Sequence, residues 1–411
     1  MKEKCRLIRL KNSYFALTIL LCLPLIALKP NISLGQEKNL DALFINASEA
    51  SKISERLSRG LKEYAFPESL EDKDIIINST IIWSTASDLI IQTKRNIVIK
   101  PEAKIISSGE GAIILKAGME PDDNNFEKQS QSLKNKRIYD SRVDFEGSQT
   151  QILLLGGGVA KIYYNPIREK GDKHKYFNPT IYSLFIHPSK SYEPYMLINN
   201  VYDLKNMAVS LFSNFALSQN IDASRTKRWS DKDGEGKGFP PIKGFKDKVP
   251  FSGIFDGNNY KIQKLYIRRP NEDNIGLFGD VTGVNRYQSE IKNINLEDSD
   301  IEGKRCVGAL VGQATGVKIT NVTLLSTQVK SHDEENGIES NIKGLLGGCI
   351  FSNTYKDIFA YDEDGKDIIE TSLFGSCILC NNEDSDRNGG IKEDYKEKIH
   401  KTKIAHEDSE L

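Results

Sequence analysis

The sequence has almost no charge imbalance, because 56 lysine and arginine residues face 57 aspartate and glutamate residues in a chain of 411 residues. A formal net charge of -1 creates no overall field toward polyanions, and we therefore expect no nucleic-acid partner. Beyond Leu28 the chain also lacks any run apolar enough to span a bilayer. We expect the mature protein to have no membrane-spanning segment.

Histidine and cysteine are scarce, and neither is spaced for metal binding. The five histidines include no H-E-x-x-H pair, which excludes the zinc helix of metallopeptidases. Cys377 and Cys380 in "CILC" lack the second cysteine pair that a structural zinc site needs. The sequence therefore predicts no metal and no cofactor.

Motifs for nucleophilic catalysis and phosphate binding are absent as well. No G-x-S-x-G elbow is present. The glycines at positions 156–158 follow an apolar run, but the Lys-Ser/Thr pair of a phosphate-binding loop does not follow them. We interpret these glycines as a β corner, and we predict that the protein is not an enzyme and has no catalytic residue.

Residues 1–35 carry an export signal. Five basic residues precede the apolar run "YFALTILLCLPLIAL" at positions 14–28. This length and these flanks are typical of a secretory signal peptide, with cleavage after Ala27 or Gly35. The alternative is an uncleaved membrane anchor, which needs about 20 apolar residues. We expect a secreted or cell-surface protein, outside the cytoplasm.

The part of the chain before the repeats has two kinds of pattern. Residues 36–70 predict a helical cap or linker, with Ile53, Leu57, Leu61 and Tyr64 on one helix face. Residues 71–200 contain β-branched runs such as "DLIIQTKRNIVIK", separated by glycine, asparagine or charged residues. These runs predict successive strands with gaps too short for crossover helices.

Polar stretches predict where loops project from this framework. Residues 201–260 are expected to form a helix and an insertion loop that lead into the repeats. The charged residues 381–411 predict a flexible tail. The loops are expected at positions 120–142, 168–176 and 225–248.

Residues 261–380 repeat with a period near 30. Each repeat has two apolar residues followed by glycine, in "IGLFGDV", "GALVGQA", "KGLLGGC" and "TSLFGSC", and an apolar-x-x-apolar-x-apolar segment stands before it, beginning at Ile262, Ile291, Ile319 and Tyr355. Such a period marks stacked units, and short strands with glycine bends favour a parallel β-helix. We expect glycine at corners, for positive φ or close approach. The repeat glycines are Gly276, Gly279, Gly308, Gly312, Gly344, Gly347 and Gly375.

One position of the repeat carries cysteine. The residue two places after the second glycine is Val281, Ala314, Cys349 and Cys377 in successive repeats. This alignment predicts that Cys349 lies directly beneath Cys377. Two buried thiols or a disulfide would each fit, since the spacing of stacked strands lies within the range that a disulfide bridges.

The segment "PFSGIFDGNNYKIQKLYIRRPNEDNIGLFG" and the Gly-Leu-Val-Gly repeat behind it resemble the GLUG-motif repeat of filamentous-haemagglutinin-like bacterial surface proteins. The resemblance extends upstream through "VAKIYYNP" and covers roughly residues 75–380. It implies an all-β fold, a right-handed parallel β-helix, with an adhesin-like or surface role and with host cell surfaces or glycans as partners. Proteins of this group typically carry an amino-terminal two-partner secretion domain, which we do not find here. The export partner is therefore not identified.

Two further functions remain open for a chain of this pattern. One is a β-helix enzyme acting on polysaccharide, which needs two carboxylates about 5–9.5 Å apart. The other is a decayed relic of a larger adhesin. The carboxylates stand in polar, turn-like segments and are expected to be solvated; they are Asp298, Asp300, Asp362, Asp364 and Asp367.

Aromatic side chains are the expected means of glycan contact. Trp229 lies in the basic, glycine-rich stretch "RTKRWSDKDGEGKG" and is predicted to be an exposed binding residue. Trp83, Tyr163 and Tyr164 are predicted to be buried.

Overall fold

A computed structural model gives the fold for most of the chain from Ala42 to Asn382. Residues 1–35, predicted to be a signal peptide, and most of the charged stretch 381–411 lie outside the described residues, as does most of the stretch at 120–142. For residues 167–169, 172–178, 334–335, 338–339, 343–344, 354–355, 374–378 and 381–382 only the backbone is described. The residues described are 42–66, 72–120, 141–169, 172–178, 181–230, 236–243, 249–283, 289–332, 334–335, 338–339, 343–344, 346–351, 354–364, 366, 374–378 and 381–382.

The protein is mostly β, and its dominant element is one long sheet of 13 strands. Neighbouring strands in this sheet run parallel and follow one another in chain order. The strands are β2 (Glu63–Phe66), β5 (Asp88–Thr93), β8 (Ile113–Ala117), β11 (Ala160–Tyr164), β15 (Tyr192–Ile198), β16 (Phe215–Leu217), β17 (Ile221–Asp222), β18 (Ile254–Asp256), β19 (Lys261–Gln263), β22 (Glu290–Glu297), β26 (Lys318–Leu325), β32 (Thr354–Tyr361) and β34 (Asn381–Asn382).

Two further parallel sheets, each of four strands, belong to the first half of the chain. The first contains β1 (Ala42–Ile45), β3 (Asp74–Ile77), β6 (Ile97–Ile99) and β9 (Val143–Phe145). The second contains β4 (Ile81–Trp83), β7 (Ile105–Ser107), β10 (Ile152–Leu154) and β14 (Ile186–His187).

The repeats contribute three more parallel sheets. One contains β20 (Tyr266–Arg269), β23 (Asp300–Gly303) and β27 (Gln328–Ser331). A second contains β21 (Phe278–Thr282), β25 (Val311–Thr315), β31 (Gly347–Phe351) and β33 (Phe374–Ile378). The third pairs β24 (Val307–Gly308) with β30 (Lys343–Gly344).

Within the described chain, antiparallel strand pairing is confined to two short hairpins and a single bridge between Gly238 and Ile267. The first hairpin pairs β12 (Ile167–Glu169) with β13 (Asp172–Asn178), so the loop expected at 168–176 is a hairpin. The second pairs β28 (Glu334–Glu335) with β29 (Ile338–Glu339).

Burial alternates along the strands before the repeats, although their sequences are largely continuous aliphatic runs such as "DIII" and "IVI". In β5 the side chains of Leu89, Ile91 and Thr93 are fully buried, while the residues between them are partly exposed. This period of two places one face of each strand in the core. Burying each such aliphatic side chain stabilises the fold by about 1.5–3 kcal/mol.

Helix α1 (Ala47–Ser58) lies between β1 and β2. It begins where the Asn46 side chain accepts a hydrogen bond from the backbone N–H of Glu49, a typical N-cap. Gly60, with φ of 75°, follows its end. Consequently Leu61 lies outside the helix and is 49% exposed, and Tyr64 lies in β2, so neither shares the helix face that the sequence predicted.

The segment that leads into the repeats contains helix α2 (Val201–Asn206). Among the described residues, neither α1 nor α2 has the length and apolar character needed to cross a membrane. Single 3-10 turns lie at Ser183–Phe185, Ser189–Ser191, Met207–Val209 and Ser224–Arg228.

A ladder of polar side chains crosses the long sheet where the strands bend. Asn293, Asn321 and Asp357 occupy equivalent positions of β22, β26 and β32, and each has φ between 51° and 54°. The Asn293 amide donates to Asp256, and the Asn321 amide donates to Asn293 at 2.8 Å. Asparagine and aspartate tolerate this left-handed backbone better than most residues, so these residue types fit the bend.

Candidate functional site

Trp229 is not the exposed residue that the sequence predicted. Its ring is half-buried against the core, and three side chains of the same chain lie around it. The ring centroids of Tyr202 and Phe239 are 5.3 and 5.9 Å away, and Lys205 Nζ lies 5.5 Å from the ring centroid. These partners are distant in sequence, which is why the charged local context misled the prediction.

The other aromatic predictions are confirmed. Trp83 is 2% exposed, and Tyr163 and Tyr164 are 4% and 0% exposed. The Tyr163 ring stacks on Tyr195 at 4.6 Å, and Lys116 Nζ lies 4.8 Å from its centroid. Burial raises the pKa of Tyr163 well above its usual value, and the carboxylates of Asp256 and Glu193 add to this shift.

The described carboxylates considered for catalysis lie in turns or at strand starts. Asp300 begins β23 and is exposed, as is Asp298. Asp362 accepts hydrogen bonds from the backbone N–H groups of Asp364 and Lys366 at 3.0 and 2.8 Å, which is a local turn contact. Asp367 lies outside the described residues. Across the described chain, no group of three or more metal-ligating side chains comes together.

The repeat glycines form two ladders, and one member was assigned wrongly. Gly276, Gly308 and Gly344 are equivalent, because β24 pairs with β30 and Ile275 bridges Val307. In the second ladder, Gly279, Gly312 and Gly375 align with Gly348. Gly347 instead pairs with Val311 and Phe374.

Close contact with the backbone of the neighbouring repeat explains why glycine occupies these positions. A Cβ on Gly312 would collide with the peptide between Asn274 and Ile275, and a Cβ on Gly348 would collide with the peptide between Cys306 and Val307. None of the repeat glycines has a positive φ. Of the two reasons expected for glycine at these positions, close approach therefore applies and positive φ does not; Asn274 and Cys306 take the positive φ values, 58° and 54°.

The prediction that Cys349 lies directly beneath Cys377 is wrong, because it too took Gly347 as the second glycine of the repeat. Cys349 pairs in register with Ser376 and Gln313, while Ile350 pairs with Cys377. Cys349 forms a disulfide with Cys306, with their Cα atoms 5.0 Å apart. The sequence left open two buried thiols or a Cys349–Cys377 disulfide. The sulfur of Cys349 is bonded to Cys306, so it is neither a free thiol nor available to Cys377. The residue aligned with Cys377 was taken two places after Gly347, whereas Gly348 is the glycine that aligns with Gly312 and Gly375, which puts Ile350 at that position.

A small cleft beside β9 is a candidate site formed by described residues. Strand β9 supplies Asp144 and Phe145, and the turn at Ser183–Phe185 brings Tyr182 and Phe185 against them. The cleft has a volume of about 200 Å³. Its lining residues are Arg142, Val143, Asp144, Phe145, Asn165, Ile181, Tyr182 and Phe185.

Aromatic stacking holds the walls of this cleft together. Phe145 and Phe185 stack with centroids 4.8 Å apart and planes 4° apart. Tyr182 packs edge-on against Tyr164 at 5.1 Å, and its backbone N–H donates to the Tyr192 hydroxyl at 3.2 Å. Such pairs favour fixed relative positions of the rings. The cleft therefore has rigid aromatic walls.

Two charged side chains give the cleft its polar character. Arg142 Nε lies 3.4 Å from Asp144 Oδ1. Desolvation raises the pKa of Asp144 above its usual value, although Arg142 opposes this shift. The Tyr182 hydroxyl is buried and has no hydrogen-bond partner in the described structure. Burial also raises the pKa of Tyr182 well above its usual value.

Sequence reasoning missed this cleft because its residues come from three separate stretches. The one available signal was aromatic density in "VDFEG", "IYYNP" and "IYSLF". Nothing in those letters shows that β9 and the turn at Ser183–Phe185 meet.

Comparison with known proteins identifies no family. No protein-family model and no solved structure matches the chain. The chain is 32% identical over 140 residues to halomucin of Haloquadratum walsbyi (strain DSM 16790 / HBSQ001). That match covers 32% of this chain and 1% of halomucin, so the chain spans only a small fraction of that protein.

Proposed function

We propose that the protein is an exported, non-catalytic surface or secreted protein, adhesin-like in its use of loops to contact cells or glycans. Its framework in this proposal is a right-handed parallel β-helix in which the sheets described above are the faces. Parallel pairing of strands in chain order, layer after layer, supports such a solenoid. Ile291, Ile319 and Tyr355 pair in one register on β22, β26 and β32, as a shared column requires.

Helix α1 is the cap of the amino-terminal end in this proposal. Ile53 and Leu57 are fully buried, and the Leu57 carbonyl accepts hydrogen bonds from Thr85 and Ser87 at 2.6 and 2.9 Å. A cap of this kind covers the first layer of a solenoid, where an open sheet edge otherwise invites pairing with other chains.

Two observations support export of the protein from the cytoplasm. The first residues have the pattern of a secretory signal peptide. The disulfide between Cys306 and Cys349 fits an oxidising compartment, where such bonds persist.

The observation that carries a contact function is the cleft beside β9 together with the exposed apolar side chains of the adjoining segment. Ile181, which lines the cleft, and Leu184, in the turn at Ser183–Phe185, are 71% and 76% exposed, which sets them apart from the buried aliphatic residues of the strands. Exposed apolar groups around a concave site are typical of ligand contact. This surface is the adhesive part of the proposed function.

A glycan array probed with the purified protein tests the proposal, together with a panel of polysaccharides assayed for new reducing ends. Binding without release of product supports the adhesin-like function. Release of product would favour a polysaccharide-active enzyme, and no signal in either assay would favour a relic without a binding role. Fractionation of the native host tests export, since cytoplasmic retention of the full-length chain contradicts it.

A further inference from the structure

The side chains of Lys116 and Asn258 meet across the long sheet. Lys116 lies in β8, and Asn258 follows β18, 142 positions later in the sequence. In the order of the sheet, β11, β15 and β16 lie between these two strands. Even so, Lys116 Nζ donates a hydrogen bond to Asn258 Oδ1 at 3.1 Å. An amine and a carboxamide from distant parts of the chain are therefore in direct contact.

The Asn258 carboxamide is held in place by its other hydrogen bonds. Its Nδ2 donates to the Leu217 carbonyl at 2.8 Å, and the backbone N–H of the same residue donates to Asp256 Oδ1 at 2.9 Å. Because Cγ is one carbonyl bond of ~1.2 Å from Oδ1, a small movement of the flexible lysine stem brings Nζ within the ~3–3.5 Å at which reacting atoms meet. The contact is therefore close to an arrangement for attack of the amine on Cγ.

The surroundings of Lys116 favour its uncharged, nucleophilic form. Burial lowers the pKa of Lys116 below its usual value, and the charge of Lys161 acts in the same direction. The Asp256 carboxylate opposes this shift in pKa, so it lies within electrostatic reach of Nζ. Asp256 is itself 6% exposed. A desolvated lysine beside a group that can accept its proton is an activated nucleophile.

We propose that Lys116 and Asn258 form an intramolecular isopeptide bond, with Asp256 as the proton acceptor. Asp256 takes one proton from the Lys116 ammonium group, and the lone pair of Nζ forms a bond to Cγ of Asn258. The Cγ–Nδ2 bond breaks, and Nδ2 leaves as an ammonium ion with its own two hydrogens and two protons that came from Nζ, one of them through Asp256. Nothing is oxidised or reduced, and the reaction needs no other reactant.

This bond would join parts of the sheet that are not neighbours. In stacked parallel strands each strand contacts only the next one, so such a sheet can open strand by strand. A covalent link from β8 to the turn after β18 opposes that opening and restricts the unfolded chain, as a disulfide that closes a long loop does. The inference goes beyond the proposed function and does not depend on glycan binding.

Intact-mass spectrometry of the reduced, denatured full chain is the first measurement. We expect most molecules to be lighter than their sequence requires by one ammonia molecule. Cyclisation of an amino-terminal glutamine would cause the same loss, so tryptic mapping must locate it. The map should contain one branched peptide in which Lys116 resists trypsin and is joined to the peptide that contains Asn258.

Two variants remove the reacting groups, and each has a matched control. Lys116→Arg keeps the positive charge without the amine, and Asn258→Gly removes the carboxamide at a position with φ of 51°, which glycine adopts readily. Both should lack the branched peptide and the loss of ammonia that belongs to it. The controls are Lys161→Arg and Asn259→Gly, since Asn259 is the next residue and has φ of 65°. Both controls should keep the branched peptide.

Asp256→Asn tests the proton acceptor. With the fold verified by circular dichroism, this variant should form the branched peptide more slowly than the wild type at neutral pH and regain the rate at alkaline pH, where the amine loses its proton to solvent. Formation at the wild-type rate at every pH would remove Asp256 from the reaction. A folded wild-type chain without the branched peptide, even after prolonged incubation, would overturn the proposal whatever the variants do.

Discussion

Cys306 and Cys349 are joined by a disulfide that links two successive repeats and bridges a sequence separation of 43. Cys306 precedes β24 in a left-handed backbone conformation, and Cys349 lies in β31. The neighbouring Gly348 packs against the peptide that follows Cys306. Its missing side chain lets the two backbones approach closely enough for the bond.

We expect this disulfide to stabilise the protein substantially. The bond closes a loop of this size and so lowers the conformational entropy of the unfolded chain. In the chain-entropy treatment this raises the free energy of unfolding by up to about 4 kcal/mol. Cys306→Ala and Cys349→Ala should each lose stability in urea denaturation, and the double variant should lose little more than either single one. Reducing agent should lower the stability of the wild type only.

Peptide mapping without reduction identifies the partner directly. We expect Cys306 and Cys349 to be recovered in one linked peptide. A linked peptide containing Cys349 and Cys377 would contradict the register described here.

Gly347→Ala and Gly348→Ala form a matched pair. A Cβ on Gly348 would collide with backbone atoms of Cys306 and Val307, which cannot move without disturbing the sheet. A Cβ on Gly347 would meet the ends of the Ile350 and Val311 side chains, which can adjust. We expect Gly348→Ala to destabilise by about 1–3 kcal/mol or more, and Gly347→Ala by less, in parallel urea titrations. The reverse order would mean that Gly347 occupies the close-approach position.

The repeat pattern predicted the strands and their parallel stacking better than their register. Ile291, Ile319 and Tyr355 align as the pattern indicates. Ile262 does not, because it pairs with Leu296 while Phe255 pairs with Ile291. An extra turn after Asp256 causes this shift, and a pattern with a fixed period does not reveal an insertion.

Register was also ambiguous where two glycines are adjacent. Either Gly347 or Gly348 satisfies the motif, and the choice decides which residue lies beneath Cys377. Only packing against Cys306 separates the two. The cleft was beyond prediction for a related reason, since contacts between β9 and the turn at Ser183–Phe185 depend on tertiary packing rather than on local propensity.

Replacing Asn321 by glycine should destabilise the protein less than replacing it by alanine. Its φ is 51°, a conformation that costs most non-glycine residues about 1–3 kcal/mol. Its amide also donates to Asn293 and Asn259 at 2.8 and 3.0 Å. Both variants lose these hydrogen bonds, so the difference between Asn321→Gly and Asn321→Ala reports the backbone conformation of the folded state, set against the greater freedom of glycine in the unfolded chain. We expect the alanine variant to be the less stable in thermal melting, and equal melting temperatures would contradict the left-handed assignment.

The buried tyrosines should make the protein sensitive to alkali. Burial raises the pKa of Tyr192 to about 12 from 10.0, and it raises the pKa of Tyr163, Tyr182 and Tyr195 as well. Because the folded state holds these protons more tightly than the unfolded state, their contribution to stability is complete below pH 10 and is lost as the pH rises through the folded-state pKa values. Above pH 10, each such tyrosine adds up to about 1.4 kcal/mol per pH unit to the fall in the free energy of unfolding.

Urea denaturation at increasing pH, with tyrosinate absorbance followed in parallel, tests this sensitivity. Tyr195→Phe keeps the ring that stacks on Tyr163 and removes one ionisable group. We expect this variant to lose stability less steeply than the wild type above pH 10, whatever its stability at neutral pH. Identical slopes for the two proteins, or tyrosinate absorbance at the usual pKa for every tyrosine while the fold persists, would show that these hydroxyls are not shielded from solvent.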